Sequence, residues 1–211
     1  MTRKASTIGW GALALLSLGI AGYAYRYVAP GAVAPPGVGD NPFAHPWLFV
    51  HAGLAATALL LGPFQFLPRL RARLPRLHRW MGRTYVFACL VGGSAGLLLA
   101  TGTTAGPIAG AGFGALAVVW IATTGMALRM ALARRFDEHR RWMIRSFALT
   151  FAAVTLRLYL PMAMIAHLHF VDAYRAIAWL AWVPNLLVAE LYLRRSHRRP
   201  TAVRPVIREA A

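Results

Sequence analysis

Two histidines, His78 and His139, stand in near-copies of one string. The first copy reads Leu77-His78-Arg79-Trp80-Met81-Gly82-Arg83-Thr84-Tyr85. The second reads Glu138-His139-Arg140-Arg141-Trp142-Met143-Ile144-Arg145-Ser146-Phe147. Each runs from a histidine through one or two arginines to Trp-Met-x-Arg, a small hydroxyl residue and an aromatic, and each leads into a long apolar run. Imidazole is the usual axial ligand of a b-type haem, which takes two histidines on facing helices. His78 and His139 would form such a pair, with Arg83 and Arg145 placed to neutralise propionates. A divalent metal between the same two histidines, with Asp137 or Glu190 as carboxylate ligand, is a second chemistry these residue types allow. Hydrolysis has no comparable mark: the chain lacks a nucleophile elbow, a His-Glu-x-x-His string and paired carboxylates.

Other polar groups fall inside apolar runs. Glu190 lies about one turn from the end of the last run. An unpaired carboxylate in lipid is costly, so it is expected to pair with Arg83 or Arg145. A separate group comprises His51, Arg157 and Asn185. An intramembrane arginine must face protein, water or an anionic group, and Arg157 could hold a haem propionate, a quinone oxygen or a lipid phosphate. A second haem would need His51 together with His167 or His169. From His139 to His167 the helical rise is about 42 Å, against a hydrocarbon core of about 30 Å. That spacing argues against both being deep in a bilayer. A plainer role covers Trp80, Trp142 and most of the arginines: tryptophan anchors at head-group depth and arginine snorkels to phosphate. It explains two matched histidines less well.

These residues need long apolar helices to position them. The chain has 211 residues, 58% hydrophobic and 14% charged, with a mean hydropathy of +0.52. That is too apolar for an ordinary soluble domain. Spanning helices are expected at Ile8–Val28, Trp47–Phe66, Met81–Thr101, Ala111–Met130, Met143–Ile165 and Ala176–Leu193. The alternation of a barrel strand is missing, so the expected class is an all-α polytopic membrane protein of about six transmembrane helices in a single integral domain. The net charge of +17 would suggest nucleic acid in a soluble protein. Here the arginines cluster at the ends of apolar runs. Arg3 and Lys4 precede span one, Arg69 to Arg79 follow span two, Arg134 to Arg141 follow span four, and the basic tail 194–211 follows span six. The other loops are nearly uncharged. The positive-inside rule then puts both termini in the cytoplasm, in a bacterial inner membrane, with the lipid bilayer as partner and no nucleic acid. Tyr23, Tyr25 and Arg26 suit a membrane-interface exit from span one better than cleavage near Ala32–Ala34. The Pro/Gly-rich stretch Ala29–Pro46 reads as an outward lid or spacer. Cys89, the single cysteine, excludes an internal disulfide.

Aligning Trp80 with Trp142 makes spans two and three one hairpin and spans four and five its copy. The pattern is a parallel repeat about an axis normal to the membrane. It implies a four-helix core flanked by spans one and six, with Gly92, Gly96, Gly110, Gly112 and Gly114 allowing close helix approach. Gly62-Pro63 is expected to kink or end span two.

The runs His51…Gly62-Pro63-Phe64-Gln65-Phe66, Leu77 to Arg83, and His139 to Ala148 followed by Arg157-Leu158-Tyr159 resemble an uncharacterised bacterial membrane-protein family, domain of unknown function 2306. Trp182-Val183-Pro184-Asn185-Leu186 and Ala189-Glu190 are similar to its final span. The resemblance covers Trp47 to Tyr192; it implies a multi-span membrane fold and carries no established activity. The layout of four histidines also resembles di-haem b-type cytochromes in a generic way, from which the depth of His167 departs. The leading functional expectation is a b-type haem at the cytoplasmic end of the repeated hairpins, exchanging electrons with a quinone or another redox partner. Small-molecule or lipid transport, and a non-catalytic role in membrane assembly, are the alternatives.

Overall fold

The structure is a computed structural model and describes residues 3–29, 31, 32 and 38–197. The basic tail from position 198 onward, and positions 33 and 34 of the weighed cleavage site, lie outside the described residues. The helices are α1 (Arg3–Ala24), α2 (Ala44–Gln65), α3 (Pro68–Arg73), α4 (Pro75–Thr101), α5 (Pro107–Leu132), α6 (Phe136–Thr150), α7 (Ala152–Ile165), α8 (Phe170–Leu180) and α9 (Val183–His197). They make six candidate spans: α1 with a following 3-10 turn, α2, α4, α5, the pair α6–α7 and the pair α8–α9. The chain is an all-helical membrane protein, and its apolar spans require a lipid bilayer around them.

The helices start earlier than hydropathy implies. Span three begins at Pro75 and not at Met81; span five begins at Phe136 and not at Met143. Proline suits the first position of a helix because its missing N–H would be unpaired there anyway, and Pro68, Pro75 and Pro107 each occupy it. Asp137 and Glu138 lie in the first turn of α6, where the helix dipole favours acids. A 27-residue helix such as α4 is about 40 Å long, so its polar first turns extend past the hydrocarbon into the head-group layer. α2 ends at Gln65, two residues beyond Pro63.

Spans two to five form a ring. α2 packs on α4, α4 on α5, α5 on α6, and α6 closes back onto α2. Equivalent helices of the two hairpins are therefore diagonal, as a twofold along the bundle axis requires. Span one packs on α2 and α7, and span six on α5, α6 and α7. Close approach falls at specific glycines. A Cβ at Gly92 would sit 3.1 Å from the Leu54 Cβ, and one at Gly62 would run into the Phe147 ring.

A chain of buried hydroxyls crosses the middle of the ring. Thr150 Oγ1 donates to the Ser146 carbonyl at 3.0 Å, which uses its one hydrogen. It must then accept from the Tyr85 hydroxyl at 2.9 Å and from Trp120 Nε1 at 2.9 Å. Tyr85 must in turn accept from Ser146 Oγ at 3.0 Å, and Ser146 from Thr124 Oγ1 at 2.7 Å. The direction of every bond is thus set by one carbonyl. Tyr85→Phe leaves the Ser146 hydroxyl without its acceptor and is expected to cost about 1–3 kcal/mol. The check is the thermal melt of the detergent-solubilised protein.

Span six is broken at Ala181–Trp182. Pro184 has no N–H to give the Leu180 carbonyl. The neighbouring Ala181 carbonyl accepts from side chains, from Thr155 Oγ1 at 2.5 Å and from Asn185 Nδ2 at 2.9 Å.

Candidate functional site

His78 and His139 are each the fourth residue of their helices, α4 and α6. One descending helix, α5, separates the two, so both begin at the arginine-rich end. Their order in the ring puts them on diagonal helices. The His139 Nδ1 lies 2.8 Å from the Ala127 carbonyl of α5. A carbonyl can only accept, so this nitrogen carries a proton, and the tautomer it selects has its lone pair on Nε2. The His78 Nδ1 is buried and has no hydrogen-bond partner. His78 lies within electrostatic reach of His139, Arg71 and Arg79.

A third group joins them that carries no distinguishing mark in the sequence. Gln65, at the end of α2, has a buried Nε2 without a partner. Its Oε1 lies 3.3 Å from where a Cβ on Gly82 would be, and Gly82 is one turn from His78 on the same face. Buried side-chain nitrogens are almost always bonded, and among the described residues Gln65 and His78 are the ones without a partner. Both lie at the arginine-rich end of the ring. Gln65 was visible only as a polar residue ending an apolar run.

The repeat is not symmetric in detail. Trp80 is 66% exposed, whereas Trp142 packs partly buried against the core. Arg83 is exposed and stacks over Trp80 at 5.6 Å; Arg145 stacks over Trp142 at 4.7 Å. Thr84 donates back to its own helix at the Trp80 carbonyl, whereas Ser146 is buried in the hydroxyl chain. Arg145 has a task that Arg83 lacks. It grips Glu190 of α9 with two bonds, Nε to Oε1 at 2.5 Å and Nη2 to Oε2 at 3.0 Å. This fork ties span six to span five. Glu190→Leu alone strands the guanidinium and is expected to cost about 2 kcal/mol, below the value for a fully buried pair because both side chains stay partly solvated. Adding Arg145→Met should recover most of that loss in the same melt.

The metal reading meets a difficulty: Glu190 is already taken by Arg145, and Asp137 is exposed in the first turn of α6. Among the described residues no three His, Cys, Asp or Glu side chains gather as a metal site.

At the opposite end the expected grouping divides. His51 donates from Nδ1 to the Gly92 carbonyl at 2.8 Å and lies flat against Gly96, whose missing Cβ would sit 2.8 Å from that nitrogen. Arg157 acts electrostatically on His51. Asn185 belongs elsewhere, at the break in span six, where it also donates to Thr155 at 3.1 Å. His167 is exposed with φ of 54°. It forms the left-handed turn ending α7, where Leu168 N–H reaches the Ala163 carbonyl. His169 is exposed and bonds Asp172 at 3.2 Å. His167 and His169 thus lie exposed in the α7–α8 turn, whereas His51 rests against α4.

Residues 48–193 match the profile of a family described as predicted membrane protein, DUF2306. The chain belongs to this family. No curated protein and no solved structure matches it. The DUF2306 segment begins in α2 and ends in α9, so it covers the four-helix ring except the first turn of α2, and span six up to Leu193. His51, Gln65, His78, His139, Arg157 and Glu190 all fall inside it, whereas span one with Tyr23, Arg26 and Tyr27 precedes it.

Proposed function

We propose that this chain is an electron-transfer protein of a bacterial inner membrane. In this reading it holds a b-type haem between His78 and His139, with the arginine-rich end and both termini in the cytoplasm. The observation that carries the reading is the pair of uncommitted imidazole nitrogens on diagonal helices at one end of the ring. Cofactor sites in helix bundles are built from side chains on facing helices.

The residues present suit the group. The Ala127 carbonyl sets the His139 tautomer and aims the ring, as second-shell acceptors do for ligating histidines. His78 offers a buried nitrogen with no other bond. Gln65 offers a free amide donor beside it. Arg71 and Arg79 supply positive charge for carboxylates at the water boundary. Met143, one turn along α6 from His139, and the hydroxyl chain are buried deeper in the ring. Because the fourth residue of each helix sits near head-group depth, the site is open to a carrier at the membrane surface. A haem held there supplies one-electron exchange between a reduced carrier on that side and a quinone in the bilayer.

Titrating haemin into protein purified from haem-depleted cells tests the reading. Saturation at one equivalent per chain is expected. Uptake that never saturates, or that matches empty detergent micelles, contradicts it.

A further inference from the structure

Far from the histidine pair, Arg157 lies in α7 about two turns from its end. One of its five guanidinium N–H groups is accounted for, by Nη1 donating to the Ala153 carbonyl of its own helix at 3.0 Å. Among the described residues, the charged and polar side chains acting on it are Tyr23, Tyr27, Arg26 and His51, with no carboxylate among them. Arg26 ends span one, stacked on the Tyr23 ring at 3.9 Å and the Tyr27 ring at 4.7 Å. Its Nη2 donates to the Tyr27 hydroxyl at 2.7 Å. Tyr27 also lines a recess of about 270 Å³ with Val28, His45 and Phe49.

Spans one and five pack together through α1 and α7, which brings the Arg26 and Arg157 guanidinium groups within electrostatic reach of each other. They repel each other, and each keeps donors to spare. Elsewhere the protein supplies acids for such arginines: Glu190 for Arg145, Asp172 for Arg175 and Glu138 for Arg135. A cation inside a bilayer without a protein counter-ion needs an anion from outside the chain. Paired arginine forks fit phosphate oxygens better than any other common anion at this depth.

We infer that Arg157 and Arg26, with the Tyr23 and Tyr27 rings as walls, form a phosphate-binding site in the leaflet opposite the arginine-rich loops. The phosphate comes either from a phospholipid head group or from free inorganic phosphate. The site stands apart from the histidine pair and does not depend on the haem reading.

Native mass spectrometry of the delipidated full-length protein tests it, with phosphatidylglycerol, diacylglycerol of the same chains and inorganic phosphate as probes. Phosphatidylglycerol should bind about tenfold or more tightly than diacylglycerol, and Arg157→Gln should abolish that difference. Arg157→Lys should keep part of it. Arg26→Gln, at an exposed position that leaves the fold intact, should weaken phosphatidylglycerol several-fold and decides the matter if Arg157→Gln does not fold. Competition by inorganic phosphate assigns the free anion; its failure to compete assigns the lipid. Equal binding of the two lipids to the native protein, or native phosphatidylglycerol affinity in both glutamine variants, overturns the site.

Discussion

Phe147→Ala is expected to destabilise the protein by about 3–5 kcal/mol, and in the same stroke to make Gly62→Leu harmless. Phe147 is 6% exposed and lies in the main core cluster, within ring-packing distance of Phe66 at 5.6 Å and Phe151 at 6.4 Å. Its edge occupies the place of the side chain that Gly62 lacks. This is where span five closes the ring against span two. In the native background Gly62→Leu forces the Phe147 ring off its position and should cost about 1–3 kcal/mol or more. In the Phe147→Ala background the new leucine fills the vacated space. The double variant should then be more stable than Phe147→Ala alone, a coupling of opposite sign to simple addition. Thermal melts of the four proteins in one detergent measure it. Additive losses would show that the two residues do not share that space.

His139→Ala and His78→Ala should each remove bound haem entirely, while the melting temperature changes by only a few degrees. The asymmetry follows from the structure. His139 contributes one hydrogen bond to a carbonyl near the membrane surface, worth about 1 kcal/mol to stability. His78 Nδ1 contributes none. For a cofactor needing two axial ligands, loss of either is all-or-none. Gln65→Leu should act differently, weakening haem retention several-fold without abolishing it, because an amide donor supports the site without ligating iron. Haem content per chain after size-exclusion chromatography distinguishes these outcomes. Full haem retention in both alanine variants would rule out the paired site.

Much of this architecture is legible in the amino-acid sequence, and the failures have physical causes. Six spans follow from the length of the apolar runs, and the ring order agrees with the repeat. Hydropathy puts the starts of spans three and five too late because Arg76, Arg79, Arg140 and Arg141 depress it in turns that are helical but lie in the head-group layer. Pro75 was the local signal for the earlier start. The Arg145–Glu190 fork was foreseeable as one of two pairings, since a carboxylate at that depth needs a cation. Ser146 and Thr150 are four residues apart and share a helix face, but their partner Tyr85 comes from a diagonal helix that only tertiary packing brings near. The partners of His51 and His139 are backbone carbonyls, which carry no sequence signature. Nothing in the sequence marks His167 as the left-handed residue that ends α7. Gln65 became visible only when packing left its amide buried without a partner.

The most direct test of the central claim is a reduced-minus-oxidised visible spectrum of the purified protein, expressed with adequate haem supply. The paired-histidine site predicts the sharp bands of a low-spin, bis-histidine b-type haem, one per chain. A flat difference spectrum would contradict it.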